Sequence, residues 1–171
     1  MAYREIFFSG GPLSDLVYYY SLIEGLDLIG IFYIDGDTEY VTHEEVLKGS
    51  GHVEAIGAIF EDKNIDVLDL IRLFMILFDP FKSDQRTKEF PNYQRIGIYS
   101  FEDELLEEIR GFLSKLEEMH GEKINYWPRY INYCCKAEEE YQQILINNPE
   151  VSNDIGADIL SRAHNLISNI N

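Results

Sequence analysis

An α+β fold, with helices packed on a small mixed β-sheet, is the class this chain predicts. Three observations carry the prediction. Apolar runs of strand length alternate with longer segments whose apolar residues recur at helical spacing. Their order is strand–helix–strand–strand–helix–strand–helix, which contains a βαββαβ, ferredoxin-like kernel. No internal repeat and no Pro-, Gly- or Ser-rich linker divides the 171 residues. One domain is therefore expected, with residues 1–150 as its body and 151–171 as a helical extension.

Each element has its own signal. Residues 3–8 (YREIFF) read as a short buried strand that Gly10-Gly11-Pro12 stops. From Asp15 to Gly25, Leu16, Tyr19, Tyr20 and Ile23 recur at i, i+3, i+4 and i+7, a helix with Ser14 as its expected cap. Leu28–Ile34 is a second buried strand, closed by the turn Asp35-Gly36-Asp37. Residues 40–47 show no clear period and are expected to be short and irregular. His52–Phe60 is apolar on both alternating sets after Glu54, as a central strand would be. Val67, Leu70, Ile71, Phe74, Leu77 and Phe78 form one helical stripe that Asp79-Pro80 ends. A loop over 81–92 leads to a strand over 95–101 and an acidic amphipathic helix over 102–120, closed by Gly121. Trp127-Pro128 interrupts the next stretch. Helices are expected over 135–147, stopped by Asn148-Pro149, and over 152–170.

Composition bounds the function. A chain this long removes roughly 70% of its unfolded surface from water. Its 46% apolar and 26% charged content is that of a globular domain. The formal charge is −17, which repels phosphate backbones and anionic lipid, so neither nucleic acid nor membrane is an expected partner. A basic protein would be attracted. The two cysteines, Cys134 and Cys135, are adjacent, a spacing that strains a disulfide. The N-terminus lacks a signal-peptide pattern, and no apolar run is long enough to span a bilayer, so a cytoplasmic location is expected. The four histidines show no ligand spacing, and no metal site is expected. Tyr18-Tyr19-Tyr20 is read as core packing in preference to a stacking platform.

A series of landmarks runs along the chain: Phe8-Ser9-Gly10-Gly11; Tyr33; Glu44-Glu45-Val46 leading to Gly51-His52-Val53-Glu54; Asp79-Pro80; Glu89 to Arg95; and Ala137-Glu138 with Gln142-Gln143. In this order and at nearly this spacing, they resemble the methionine sulfoxide reductase A family over about residues 5–150. The resemblance implies an α+β fold and a pocket near Tyr33, His52, Glu54, Glu89 and Arg95. It also implies a reaction in which a cysteine thiolate attacks a sulfoxide sulfur, an acid protonates the oxygen, and a second thiol resolves the sulfenic acid. Apart from that thiol reductant, no cofactor is implied.

The chain departs from the family where that chemistry starts. Pro12 stands where the resemblance places the cysteine, and proline has neither thiol nor backbone N–H. Leu13-Ser14 replaces an aromatic pair expected to cage the S-methyl group, and Val17 falls where an acid is expected. Three readings follow. The first is an inactive homologue that keeps a pocket for a methionine-like small molecule or peptide. The second is a reductase or redox protein with a relocated thiol, Cys134 or Cys135. The third is an acidic interaction module for a basic protein.

Overall fold

β1 (Tyr3–Ser9) runs through the middle of the sheet with β3 (Val53–Glu61) at its side; β3 is buried along most of its length and β1 from Ile6 to Ser9. The computed structural model describes residues 3–82, 90–147 and 149–171. Glu89 and Asn148, both named from the sequence, lie outside the described residues, as does most of the expected 81–92 loop. β2 (Asp27–Ile34), β4 (Gly97–Ser100), β5 (Arg129–Tyr130) and β6 (Cys134–Lys136) complete a sheet of order β5-β4-β1-β3-β2-β6. Every pairing is antiparallel except β4 with β5, so the sheet is mixed. The inner order β4-β1-β3-β2 is that of the expected βαββαβ kernel, and the fold is α+β.

The helices α1 (Leu13–Ser21), α3 (Val67–Leu77), α4 (Asp103–His120) and α5 (Ala157–Ile170) pack on one face of the sheet, and α2 (His43–Leu47) lies between β2 and β3 in sequence. Leu16, Leu70, Phe74, Ile109 and Ala163 from those four helices share one core with Ile6, Phe8, Ile56 and Ile98 of the strands. The Phe8 ring stacks on Tyr20 at 4.5 Å and on Phe74 at 5.2 Å. Tyr20 also donates to the Leu70 carbonyl at 2.8 Å, so its polar end is satisfied inside the core. Tyr19 and Tyr20 are fully buried, which is the core role expected of the tyrosine run. The opposite face carries a thinner cluster: Phe7, Ile34, Val53, Ala55, Tyr99 and Ile131. No described helix contributes to it.

Several boundaries differ from the sequence reading, each for a local reason. α1 starts at Leu13 with Pro12 as its flanking residue and ends at Ser21, so Ser14 lies inside the first turn and does not cap it. Residues 43–47 are helical because Thr42 and Glu45 form a reciprocal capping box, a Thr-x-x-Glu signal present in the sequence. The strand expected over 95–101 is the shorter β4, preceded by a 3₁₀ turn at Asn92–Gln94. The helix expected over 135–147 is instead β6 followed by a 3₁₀ segment, Glu139–Leu145.

The edge of β2 dictates that last change. Its backbone needs partners, and β6 supplies them through Tyr33 opposite Cys135 and Phe32 opposite Lys136. Where β6 ends, Ala137 N–H donates to the Ile31 carbonyl at 2.9 Å. The buried Gln142 amide then completes the edge: its oxygen accepts from Ile31 N–H at 2.7 Å, and its nitrogen donates to the Ile31 and Ala137 carbonyls at 2.9 Å each. Replacing Gln142 with leucine strands these buried groups, and urea unfolding should show a loss of about 1–3 kcal/mol. An unchanged midpoint would mean that β2 does not need this partner.

Candidate functional site

Strand register assembles a row of unlike residues at one end of the sheet. Tyr33 pairs directly with Glu54 on one side and with Cys135 on the other. Phe8 pairs with Ile56, so two residues further along Gly10 comes level with Glu54. Side chains alternate with period two, which puts Glu54, Tyr33 and Cys135 on the helix-bearing face with Phe8 and Ile56. The row Gly10–Glu54–Tyr33–Cys135 therefore lies where β1 ends and α1 begins.

Glu54 is the chemically unusual member. Burial raises its carboxyl above the ordinary carboxylate range, and only the neighbouring His43 opposes the shift. Tyr33 is buried, and its hydroxyl donates to Glu138 Oε1 at 3.0 Å and lies 3.1 Å from His43 Nδ1. Burial first, then Glu138, pushes the Tyr33 hydroxyl far up, so it stays a neutral donor. The second oxygen of Glu138 accepts from the His43 backbone N–H at 3.0 Å. Desolvation disfavours ionised Glu138, but these hydrogen bonds outweigh it and hold its carboxyl below the usual range. The His43 ring stacks on Tyr141 at 3.9 Å. One exposed carboxylate thus ties α2 to β2 and to the segment after β6.

Gly10 and Gly11 set the other wall. Gly11 has φ +60°, and its N–H donates to the Gln94 carbonyl at 2.8 Å. A Cβ added there would stand 2.7 Å from the Phe90 ring, and one at Gly10 would stand 2.9 Å from the Phe78 ring. Phe78 and Phe90 therefore close over the chain just before Pro12. Leu13 packs against the core, and Val17 is buried in it, so neither offers a polar group to the row.

Two residues expected near the pocket are engaged beside it. The His52 ring is buried, with Nδ1 2.9 Å from Ser50 Oγ and Nε2 2.9 Å from the Thr38 carbonyl oxygen, so it orders the β2–β3 connection. Arg95 donates to Asp35 Oδ2 at 3.0 Å and to the Gly51 carbonyl at 2.9 Å. Asp35 also faces Arg129 at 3.2 Å and carries the one positive φ, 62°, of any described non-glycine residue. Arg95 lines two adjoining cavities of about 390 and 320 Å³, which share Ile96, Asn125 and Tyr126.

The two cysteines point to opposite faces because they are consecutive residues of a strand. Cys134 joins the thin cluster, and burial, then Glu5 and Cys135, pushes its thiol up to about 11. Cys135 is half-buried, with Sγ 3.6 Å from the Val41 carbonyl oxygen. They do not enter a helix, as the sequence reading had it. β6 stands three strands from β1, roughly 14 Å at about 4.8 Å per strand. Among the described residues no group of three His, Cys, Asp or Glu could hold a metal ion, and no helix is long and apolar enough to cross a membrane.

His43, Glu138 and Tyr141 were not singled out as site residues from the sequence. Their signals were present as the Thr42–Glu45 capping box and the Ala137-Glu138 landmark.

Known proteins share both the sequence and the fold. The MsrA of Mycoplasmopsis pulmonis is 28% identical over 145 residues, 85% of this chain and 87% of that protein. The MsrA of Lachnoclostridium phytofermentans is 28% identical over 163 residues, 95% and 98% of the two chains. Both are peptide methionine sulfoxide reductases by name. Among solved structures, reduced Mxr1 of Saccharomyces cerevisiae superposes with a TM-score of 0.69 at 21% identity, covering 88% of each chain. Methionine sulfoxide reductase A of Corynebacterium diphtheriae gives 0.61 at 18% identity, covering 90% of this chain and 83% of that one. The family model described as peptide methionine sulfoxide reductase matches residues 4–168, well into the segment beyond residue 150, and the chain belongs to that family.

Proposed function

We propose that this protein binds a methionine sulfoxide or a similar methionine-like group without reducing it. The observation that carries the reading is the composition of the row at the end of β1. Glu54 and Tyr33 stand there together, while Pro12 opens α1 and neither cysteine is near it. A sulfoxide oxygen is a strong hydrogen-bond acceptor. A carboxyl whose burial favours the protonated form can donate to it, and the neutral Tyr33 hydroxyl would do so by turning its one proton away from Glu138. Proline offers no electron pair to attack sulfur, so binding would not lead to oxygen transfer.

The same row favours a second reading. Cys135 flanks Tyr33 on the side away from Glu54 and shares its face. In that reading the Cys135 thiolate attacks the sulfoxide sulfur. The oxygen takes up a proton and passes to the cysteine as a sulfenic acid, methionine leaves, one external thiol condenses with the sulfenic acid to a mixed disulfide with loss of water, and a second thiol reduces that disulfide to restore Cys135.

An assay with an (S)-methionine sulfoxide peptide and excess dithiothreitol separates the two. No turnover is expected from the wild type or from the Cys134→Ser, Cys135→Ser double variant. Turnover that disappears in the double variant would establish the second reading and end the first.

Binding should also carry the signature of the acid. Protonated Glu54 donates and ionised Glu54 does not. Affinity for the sulfoxide peptide, measured by calorimetry, should therefore be greatest at low pH. It should weaken about tenfold, the worth of one hydrogen bond, as pH rises through the raised Glu54 titration. Glu54→Gln keeps a donor and cannot ionise, so its affinity should be flat over the same range. Equal pH dependence in both proteins would remove Glu54 from the site.

A further inference from the structure

Two arginines converge on one carboxylate where β2 ends and β4 and β5 begin. Arg95 donates to Asp35 Oδ2 at 3.0 Å, and Arg129 meets Asp35 Oδ1 at 3.2 Å. Each oxygen is engaged by a different guanidinium, so the trio keeps one positive charge in excess. The cavity of about 320 Å³ beside it has no other charged residue in its lining. The adjoining cavity of about 390 Å³ adds Asp79 and Lys82, whose charges cancel. The excess therefore holds over both.

The two arginines are not equivalent. Arg95 is fully engaged: it also donates to the Gly51 carbonyl at 2.9 Å and to the Asn92 carbonyl at 3.1 Å. Arg129 touches Asp35 through Nη2 alone, and its side chain is 67% exposed. Among the described residues it has no other ion-pair or hydrogen-bond partner. The remaining donors of a planar guanidinium suit a carboxylate.

Tyr99 points to the same place. It is 1% exposed and lines the smaller cavity, yet the two oxygens that face its hydroxyl, Ser9 Oγ and Asp35 Oδ2, both stand 3.5 Å away. An O–H···O bond closes to about 2.7–2.8 Å, so this buried hydroxyl is poorly satisfied. Trp127 and Asn125 line the cavity too. Among the described residues, neither the indole N–H nor the side-chain amide has a hydrogen-bond partner. Every polar group left over at this cavity can donate.

We propose that this cavity binds the carboxylate of a small aromatic acid. The carboxylate would take the remaining donors of Arg129 and the Tyr99 hydroxyl, and the ring would lie against Ile96, Tyr126 and Trp127. One surplus positive charge matches one carboxylate and falls short of a doubly charged phosphate. The cavity shares no residue with the Gly10–Glu54–Tyr33–Cys135 row, so this second site stands or falls independently of the first.

Trp127 is the one tryptophan of the chain, so its fluorescence reports on the cavity directly. Benzoate should change that fluorescence saturably. Benzamide, the same ring without the charge, should bind at least about tenfold more weakly. Arg129→Gln should weaken benzoate by about tenfold or more, whereas Lys115→Gln, an equal loss of charge outside the lining, should alter it by less than about twofold. Asp35→Asn removes the competing carboxylate and keeps a residue type that tolerates the left-handed backbone there, so benzoate should bind several-fold more tightly. A purely structural role for Asp35 predicts the opposite sign. No saturable fluorescence change together with no calorimetric heat overturns the proposal. So does benzamide binding as tightly as benzoate, equal weakening by the Arg129 and Lys115 substitutions, or weaker binding in Asp35→Asn.

Discussion

Two phenylalanine rings meet edge-on over Gly57, and the register of the sheet depends on that meeting. Phe7 of β1 and Phe32 of β2 approach to 5.3 Å with their planes at 85°. A Cβ at position 57 would stand 2.7 Å from one ring and 2.9 Å from the other. β3 is apolar on both faces, so its hydrophobic pattern alone does not distinguish one register from the next. The missing side chain does. A slip by one residue would drive Ile56 or Ala58 into the rings and turn Glu54 away from Tyr33. The placement of the half-buried acid beside the tyrosine thus follows from a glycine some three residues away on the same strand.

The row is held independently of the residue at position 12. Glu54 and Tyr33 are positioned by cross-strand pairing, and Tyr33 and His43 are oriented by Glu138. None of these ties runs through Pro12. A change of the residue that precedes α1 should therefore leave Glu54 and Tyr33 paired across the strands. The aromatic wall above Gly10 and Gly11 is likewise supplied from elsewhere, by Phe78 after α3 and by Phe90 before β4.

Much of the fold was legible in the sequence because it rests on periodicity. The α3 stripe, the apolar runs of β1, β2 and β3, and the Gly121 stop of α4 with φ +67° all appear where the pattern puts them. Legibility failed where a distant partner decides the local state. Residues 135–147 have a helical spacing, but the open edge of β2 claims Cys135 and Gln142 as partners. The site was legible in part. Glu54 and Tyr33 were named from sequence, but their adjacency is a property of register, which one strand's sequence does not state. His52 was named near the pocket through the resemblance, but as a residue ahead of Val53-Glu54 it reads as a loop-ordering histidine, and its ring nitrogens lie 2.9 Å from Ser50 Oγ and from the Thr38 carbonyl oxygen.

The buried Asp15, in the first turn of α1, accepts from Ser152 N–H at 2.6 Å and from Ser152 Oγ at 3.0 Å. That contact makes the C-terminal segment a mechanical part of the helix that begins at Pro12. Beyond it, α5 sends Ala163 and Ile167 into the main core, and the side chain of the last residue, Asn171, bonds the backbone of Glu24 and Leu22 just past the other end of α1. The tail clasps α1 at both ends, like a splint. The first helix and the last residues of the chain should therefore loosen together, and the tension in one is set by the fit of the other.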